Sequence, residues 1–130
     1  MSEDHRFEVR IYYEDTDFSG NVYYAAYLKF MERARTELLR KNGIHHFELA
    51  KEGMAFAVRN MEISYERSAH IDDILIVETT IEKLAGARMI LQQIIYRDGE
   101  TLVSAKVTIA AISLAGKPKR LPRDLVENLS

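Results

Sequence analysis

The chain has 130 residues, 47% of them apolar, a formal net charge of -2 and no cysteine. That length and apolar share fit one domain, spanning 1–130, with a buried core. The interspersed charge offers no basic footprint for nucleic acid and no polybasic membrane anchor, and the lack of cysteine excludes disulfides, a thiolate nucleophile and thiolate metal sites.

The first residues include Glu3 and Asp4 and no apolar segment of the kind a secretory signal needs. No apolar run approaches the roughly 18 residues of a spanning helix. The expectation is a cytoplasmic protein without an integral membrane segment. Of His5, His45, His46 and His70, only His45 and His46 are adjacent. Neighbouring side chains on a helix point apart, so no metal site is expected.

Phe7 to Tyr13 alternates Phe7, Val9, Ile11 and Tyr13 against Glu8, Arg10 and Tyr12, the period of a half-buried strand. Glu14 to Asn21 is acidic, small and Gly-bearing, and reads as an ordered loop. From about Tyr24 to Asn42 the residues Tyr27, Phe30, Met31, Ala34, Leu38 and Leu39 recur at helical spacing. Charged residues, Glu32, Arg33, Arg35 and Glu37 among them, fill most of the other face, with Arg33 and Glu37 spaced to pair. Gly43 marks the helix end. A shorter helix is expected from His45 to Lys51.

The remainder reads as strands. Met54 to Tyr65 shifts its apolar parity between Phe56/Val58 and Met61/Ile63, which predicts a bulge near Arg59-Asn60. Ile74 to Leu84, Ala87 to Tyr96 and Leu102 to Leu114 follow, the last two joined at Asp98-Gly99, a hairpin signal. Leu121-Pro122 opens a short C-terminal piece. This order predicts an α+β fold, one main helix on an antiparallel five-stranded sheet. One helix cannot cover such a sheet entirely, so self-association through the sheet is expected.

The segment from Tyr13 to Tyr27 concentrates reactive groups at a strand-to-helix junction. Asp15 and Asp17 precede Ser19 and Gly20, with Tyr13, Tyr23, Tyr24 and Tyr27 around them. A helix N-terminus has unpaired N–H groups and partial positive charge. A thioester carbonyl docked there gains stabilisation as it becomes an oxyanion, and one such donor is worth roughly 3 kcal/mol of barrier. A carboxylate just upstream can attack that carbon or take a proton from water. An Asp at this place is more commonly a helix cap. Asp15 is expected to order the loop by accepting backbone N–H groups.

Tyr13-Glu14-Asp15-Thr16-Asp17, Gly20-Asn21-Val22-Tyr23-Tyr24-Ala25-Ala26-Tyr27 and Phe30-Met31-Glu32-Arg33-Ala34-Arg35-Thr36-Glu37 resemble the signature of the 4-hydroxybenzoyl-CoA thioesterase-like hotdog proteins. The likeness is strongest to the Tol–Pal-associated acyl-CoA thioesterases, the YbgC-like group. It runs on through Phe56 to Met61 and Ala69 to Asp73, nearly the whole chain. It implies a hotdog fold, a five-stranded sheet wrapped around one long central helix, and an acyl-CoA thioesterase assembled as a homodimer or homotetramer. It implies no cofactor beyond the coenzyme A of the substrate; acyl carrier protein as the carrier of the acyl group is the runner-up expectation. Asp17 takes the place of the catalytic carboxylate, and the N–H of Tyr24 that of the oxyanion donor. Gly20, Asn21, Val22, Tyr23, Tyr27, Phe56, Arg59 and Arg88 take places expected to contact substrate.

Two positions depart from the family pattern. Tyr24 stands where YbgC-like proteins usually place a His. Arg88 is displaced by a few residues from the usual basic position, which leaves Lys83, Arg59 and Arg67 as rivals for the CoA phosphates. Glu32 is an alternative carboxylate, although its arginine neighbours favour a surface charge cluster. His70-Ile71-Asp72-Asp73 reads as a polar turn, and Phe18, Phe47, Met54 and Phe56 as core or acyl-pocket residues. Competing functions are hydrolysis of acyl groups on acyl carrier protein, a hotdog dehydratase, which needs a His that the Tyr13–Tyr27 block lacks, and a non-catalytic acyl or CoA binder near the cell envelope.

Overall fold

A computed structural model of the chain describes residues 5–129. The elements are β1 (His5–Arg10), a 3-10 turn at Tyr13–Asp15, α1 (Tyr24–Lys41), α2 (His46–Lys51), β2 (Met54–Tyr65), β3 (Ile74–Ala85), β4 (Arg88–Arg97), β5 (Glu100–Ser113) and α3 (Arg123–Leu129). The strands form one antiparallel sheet in the order β1-β3-β4-β5-β2, with α1 lying on one face. This is the α+β hotdog arrangement that the resemblance implies.

Helix α1 follows from its residues. Ala, Leu, Lys, Met, Glu and Arg dominate it, all good helix formers. Ala26, Tyr27, Phe30, Met31, Ala34, Leu38 and Leu39 make the buried stripe. The helix ends in a Schellman motif: Ile44 N–H donates to Leu39 O at 2.9 Å and Gly43 N–H to Arg40 O at 3.0 Å. Gly43 takes φ +80, the left-handed conformation that this stop requires.

The strand register explains the core. Directly paired residues share a face, so Val77, Ile95 and Val103 form one inward row, and Ile81, Leu91, Val107 and Met61 another. The register of β2 slips between Val58 and Asn60, where the parity change predicts a bulge. Asp98 and Gly99 both adopt positive φ, the geometry of a type I′ hairpin turn.

Three expectations are corrected. The first strand stops at Arg10 instead of Tyr13. The Asp15 carboxylate accepts the Tyr12 N–H at 2.9 Å and turns the chain into a 3-10 turn, which leaves Tyr13 exposed. Glu37 pairs with Arg40 at 3.2 Å, not with Arg33. Arg35, placed on the charged face by the pattern, is only 8% exposed. It lies four residues after Met31, on the buried stripe, and reaches the sheet: its Nη1 donates to Gln93 Oε1 at 2.9 Å. Gln93 is itself buried and donates to Met31 O and to Thr79 Oγ1, both at 3.0 Å. A charged side chain thus spans helix and sheet through one amide.

This network sets a stability prediction. Gln93→Leu removes the guanidinium's acceptor at similar volume and should destabilise by about 2–4 kcal/mol in urea unfolding. Adding Arg35→Met removes the stranded charge, and the double variant should recover most of that loss.

Candidate active site at the start of the long helix

The loop before α1 is a small hairpin. Thr16 and Val22 form a β-bridge, Asp17 N–H donates to Asn21 O at 2.9 Å, and Gly20 N–H to Asp17 O at 3.0 Å. Gly20 has φ +85, and a Cβ there would meet nothing within 4 Å. Conformation, not space, selects glycine. The hairpin is pinned to the turn before β3: Asn21 bridges His70, Val22 N–H donates to Ala69 O at 2.9 Å and Ile71 N–H to Gly20 O at 3.2 Å. That turn is held in place by the Arg97–Asp73 ion pair at 2.8 Å and by the Tyr27 hydroxyl, which accepts the Ala69 N–H at 2.9 Å.

The two aspartates differ in environment. Asp15 is buried and engaged with the Tyr12 N–H, the loop-ordering role expected of it. Asp17 is exposed on the hairpin. Its Oδ1 accepts the Ser19 hydroxyl at 2.5 Å and the Ser19 N–H at 2.8 Å. These bonds, the hydroxyl's first, hold the Asp17 carboxyl below its ordinary value. Among the described residues it makes no ion pair.

The helix start is left open. Tyr23 occupies the N-cap without a side-chain cap, and the first turn carries no acidic residue. Ala26 N–H turns back to Tyr23 O at 3.0 Å, while among the described residues the N–H groups of Tyr24 and Ala25 have no acceptor. Two free amides and an ionised carboxylate therefore stand within one loop and one helical turn of each other. This arrangement can polarise a carbonyl and deliver a base or nucleophile to it.

Aromatic rings frame this end. Tyr24 and Tyr65 approach to 4.7 Å between centroids, and Tyr27 and Tyr65 to 5.8 Å. Together with Glu66, Arg67 and Ser68 they line a cleft of about 170 Å³. Tyr13, Phe18 and Tyr24 are largely exposed. So much exposed aromatic surface around one carboxylate marks a contact face.

The fold gathers Asp17, Gly20, Asn21, Val22, Tyr23 and Tyr24 at this end. Val22 is buried, and Tyr27 lies beneath the loop at 1% exposure. Phe56 is near the start of β2, Arg59 at its exposed bulge, and Arg88 opens β4. The hairpin neighbours the opposite strand ends, Ile74 and Arg97. Nine residues of β4 separate Arg88 from Arg97, about 30 Å. One chain does not bring these three residues to Asp17.

Pattern reasoning missed Ser19 as the partner of Asp17, Tyr65 as the ring against Tyr24, and His70 as a neighbour of the loop. Ser19 had a local signal, two residues after an Asp. Tyr65 and His70 had none, because pairing across the sheet brings them in.

Residues 11–129 match the family model of the thioesterase-like superfamily. The acyl-CoA thioester hydrolase YbgC of Escherichia coli O6:H1 is 42% identical over 93% of this chain and 92% of its own length. The acyl-CoA thioesterase YbgC of Haemophilus influenzae is 41% identical over 92% and 89%. The crystal structure of a probable thioesterase from Bartonella henselae is similar with a TM-score of 0.89 at 48% identity, covering 92% of this chain and all of that one. The chain belongs to the thioesterase-like hotdog superfamily and, within it, to the YbgC-like acyl-CoA thioesterases.

Proposed function

We propose that the chain hydrolyses fatty or aromatic acyl-CoA thioesters at the hairpin and helix start, with Asp17 as the reacting carboxylate. The supporting observation is that Asp17, its carboxyl held below its ordinary value by Ser19 and making no ion pair among the described residues, lies on the hairpin that leads into α1, whose Tyr24 and Ala25 amides have no acceptor among those residues. The thioester carbonyl oxygen docks on those amides. Asp17 attacks the carbonyl carbon directly or takes a proton from the water that does. The C–S bond then breaks and the CoA thiolate takes up a proton. When water attacked, the acyl group leaves directly as a carboxylic acid. When Asp17 attacked, a water then hydrolyses the resulting acyl–Asp17 anhydride, releasing the acid and restoring the carboxylate. The amides carry the oxyanion charge in between. An acyl group on acyl carrier protein presents the same thioester and is the alternative substrate.

The second half of the site comes from a second copy. Strand β2 is a 12-residue edge strand, half of its residues exposed. An uncovered edge of that length is a pairing surface. Antiparallel pairing of two β2 edges sets the start of one strand against the end of the other. Phe56, Arg59 and Arg88 of the second copy then lie at the same end as this chain's Asp17, with the two arginines available to CoA phosphates. Such a dimer, alone or within a tetramer, covers the exposed rings. Among the described residues no helix is long and apolar enough to cross a membrane.

Asp17→Asn should lower acyl-CoA hydrolysis by about 100-fold or more in a thiol-release assay, with the fold intact by circular dichroism. Unchanged turnover removes Asp17 from the mechanism. Ser19 holds the Asp17 carboxyl low, so activity that needs the ionised form is lost only at correspondingly low pH. Ser19→Ala should therefore move the acid limb of the kcat/KM profile to higher pH. Val58→Lys, a charge on the β2 edge, should reduce the mass in sedimentation to that of one chain and abolish hydrolysis together. A monomer with full activity excludes the second copy from the site.

A further inference from the structure

The segment that carries Asp17 leaves β1 at Ile11 and reaches α1 after Val22. Both of its ends hydrogen-bond to one short turn, residues 69–73, which precedes β3. At the first end Ile11 N–H donates to Asp73 O at 2.9 Å and Asp72 N–H to Ile11 O at 3.0 Å. At the second end Val22 N–H donates to Ala69 O at 2.9 Å and Ile71 N–H to Gly20 O at 3.2 Å. The turn is therefore a clamp on both stems of the loop. Among the described residues the bonds of Asp17 stay inside that loop, to Ser19, Gly20 and Asn21. Its carboxylate is placed by where the stems are held.

Arg97, at the end of β4, braces that turn. Its Nη1 donates to Asp73 Oδ2 at 2.8 Å and to Ser68 O at 3.2 Å, so one nitrogen joins the two ends of the turn. The same Asp73 oxygen accepts the His70 N–H at 2.9 Å, inside the turn. The Arg97 and Asp73 side chains are both partly buried, so solvent screens the pair less than one on the open surface. Asp72 holds φ +72, a left-handed conformation disfavoured for a residue with a side chain. Such a turn keeps its shape when its surroundings over-determine it. Tyr27 supplies one restraint, through the Ala69 N–H, and Arg97 supplies a second. Arg97 also meets Glu100 at 3.1 Å, and Glu100 in turn pairs with Arg67 on the surface.

We propose that Arg97 is a positioning residue for hydrolysis: through Asp73 it fixes the 69–73 turn, and the turn fixes the loop that presents Asp17 to the thioester. The inference rests on the thioesterase reading of Asp17 and deepens it. In the proposed reaction Arg97 touches no reacting atom. The oxyanion donors belong to α1, which its own core contacts hold in place. Loss of the brace therefore shifts the carboxylate and leaves those donors where they are. Misplacing a reacting group by about 1 Å costs on the order of 10²-fold in rate. Docking of the thioester on the amides does not need the carboxylate. The signature is a fall in kcat at nearly constant KM.

Arg97→Gln should lower kcat for an acyl-CoA by about 10- to 100-fold with KM changed by less than about twofold. Asp73→Asn should do the same, and the double variant should lose no more than either alone, because both act through one contact. Arg97→Lys keeps a charge for Asp73 without the planar fork and should recover part of the loss. Glu100→Gln removes the surface pairs and keeps the Asp73 contact, so kcat should stay within about twofold. Amide hydrogen exchange reads the clamp without any substrate. In Arg97→Gln the Val22 and Ile71 amides should exchange about tenfold faster or more, while amides in the middle of β4 and β5 keep their rates. If Arg97→Gln does not fold, Asp73→Asn carries both comparisons. Unaltered kcat, a loss confined to KM, or exchange that rises uniformly across the sheet overturns the proposal. Full turnover of Asp17→Asn is a different result: it sinks the reading of Asp17 and the positioning role with it, while faster exchange confined to Val22 and Ile71 still shows the brace.

Discussion

An α-helix cannot satisfy the amides of its own first turn, and this chain leaves those of α1 uncapped where a cap would be easy to supply. Two aspartates lie within nine residues upstream, and neither turns onto the helix. Asp15 is spent on the Tyr12 N–H, which ends the first strand and starts the hairpin. Asp17 is spent on Ser19, inside the hairpin. Each therefore has a local partner that keeps it off Tyr24 and Ala25. Polarity at the helix start and charge on the loop remain available together, a state that costs stability and has value only if a ligand uses it.

The rest of the fold keeps that arrangement rigid. The N-terminal half of α1 rests on Tyr27, whose hydroxyl takes the Ala69 N–H and so links the helix to the segment that pins the hairpin. The middle is fastened by Phe30 and Met31 in the core and by the Arg35–Gln93 contact to the sheet. The far end is closed by the Schellman turn at Gly43. A helix held at three points along its length cannot rotate without breaking buried contacts. The loop is thus positioned by elements far from it in sequence.

Periodicity served well where one face of an element is buried. The stripe of α1, the bulge in β2 and the Asp98-Gly99 turn were all legible, because each follows from spacing or from a residue that tolerates positive φ. The pattern failed where a polar residue occupies a buried position. Arg35 is charged, and a charged residue reads as surface; only its acceptor, Gln93, 58 positions away, makes burial tolerable. It failed again at Tyr13, where a side-chain carboxylate overrode alternation. In the site, the local block was legible as a whole, whereas Tyr65 and His70 arrive by sheet pairing that no local signal encodes. The residues expected on the substrate at the other end of the sheet, Phe56, Arg59 and Arg88, make sense together with Asp17 only when the free β2 edge is paired.

The replacement of the usual His by Tyr24 bears on how the proposed reaction handles its proton. A phenol hydroxyl does not replace an imidazole as a base at neutral pH, so in the proposed reaction the proton falls to Asp17. As it stands exposed, with two bonds from Ser19, Asp17 is a weaker base than a free carboxylate. Burial changes that balance, because removing water penalises the charged form and raises a carboxyl's pKa. Tyr13, Phe18 and Tyr24, exposed in the same segment as Asp17, are surface that a second copy together with the acyl group would cover. In that proposed covered state the Ser19 bonds would keep the carboxylate ionised while desolvation made it more reactive. On the proposed mechanism, a loop open in one chain and covered in a dimer would have its carboxylate activated only where a thioester is bound.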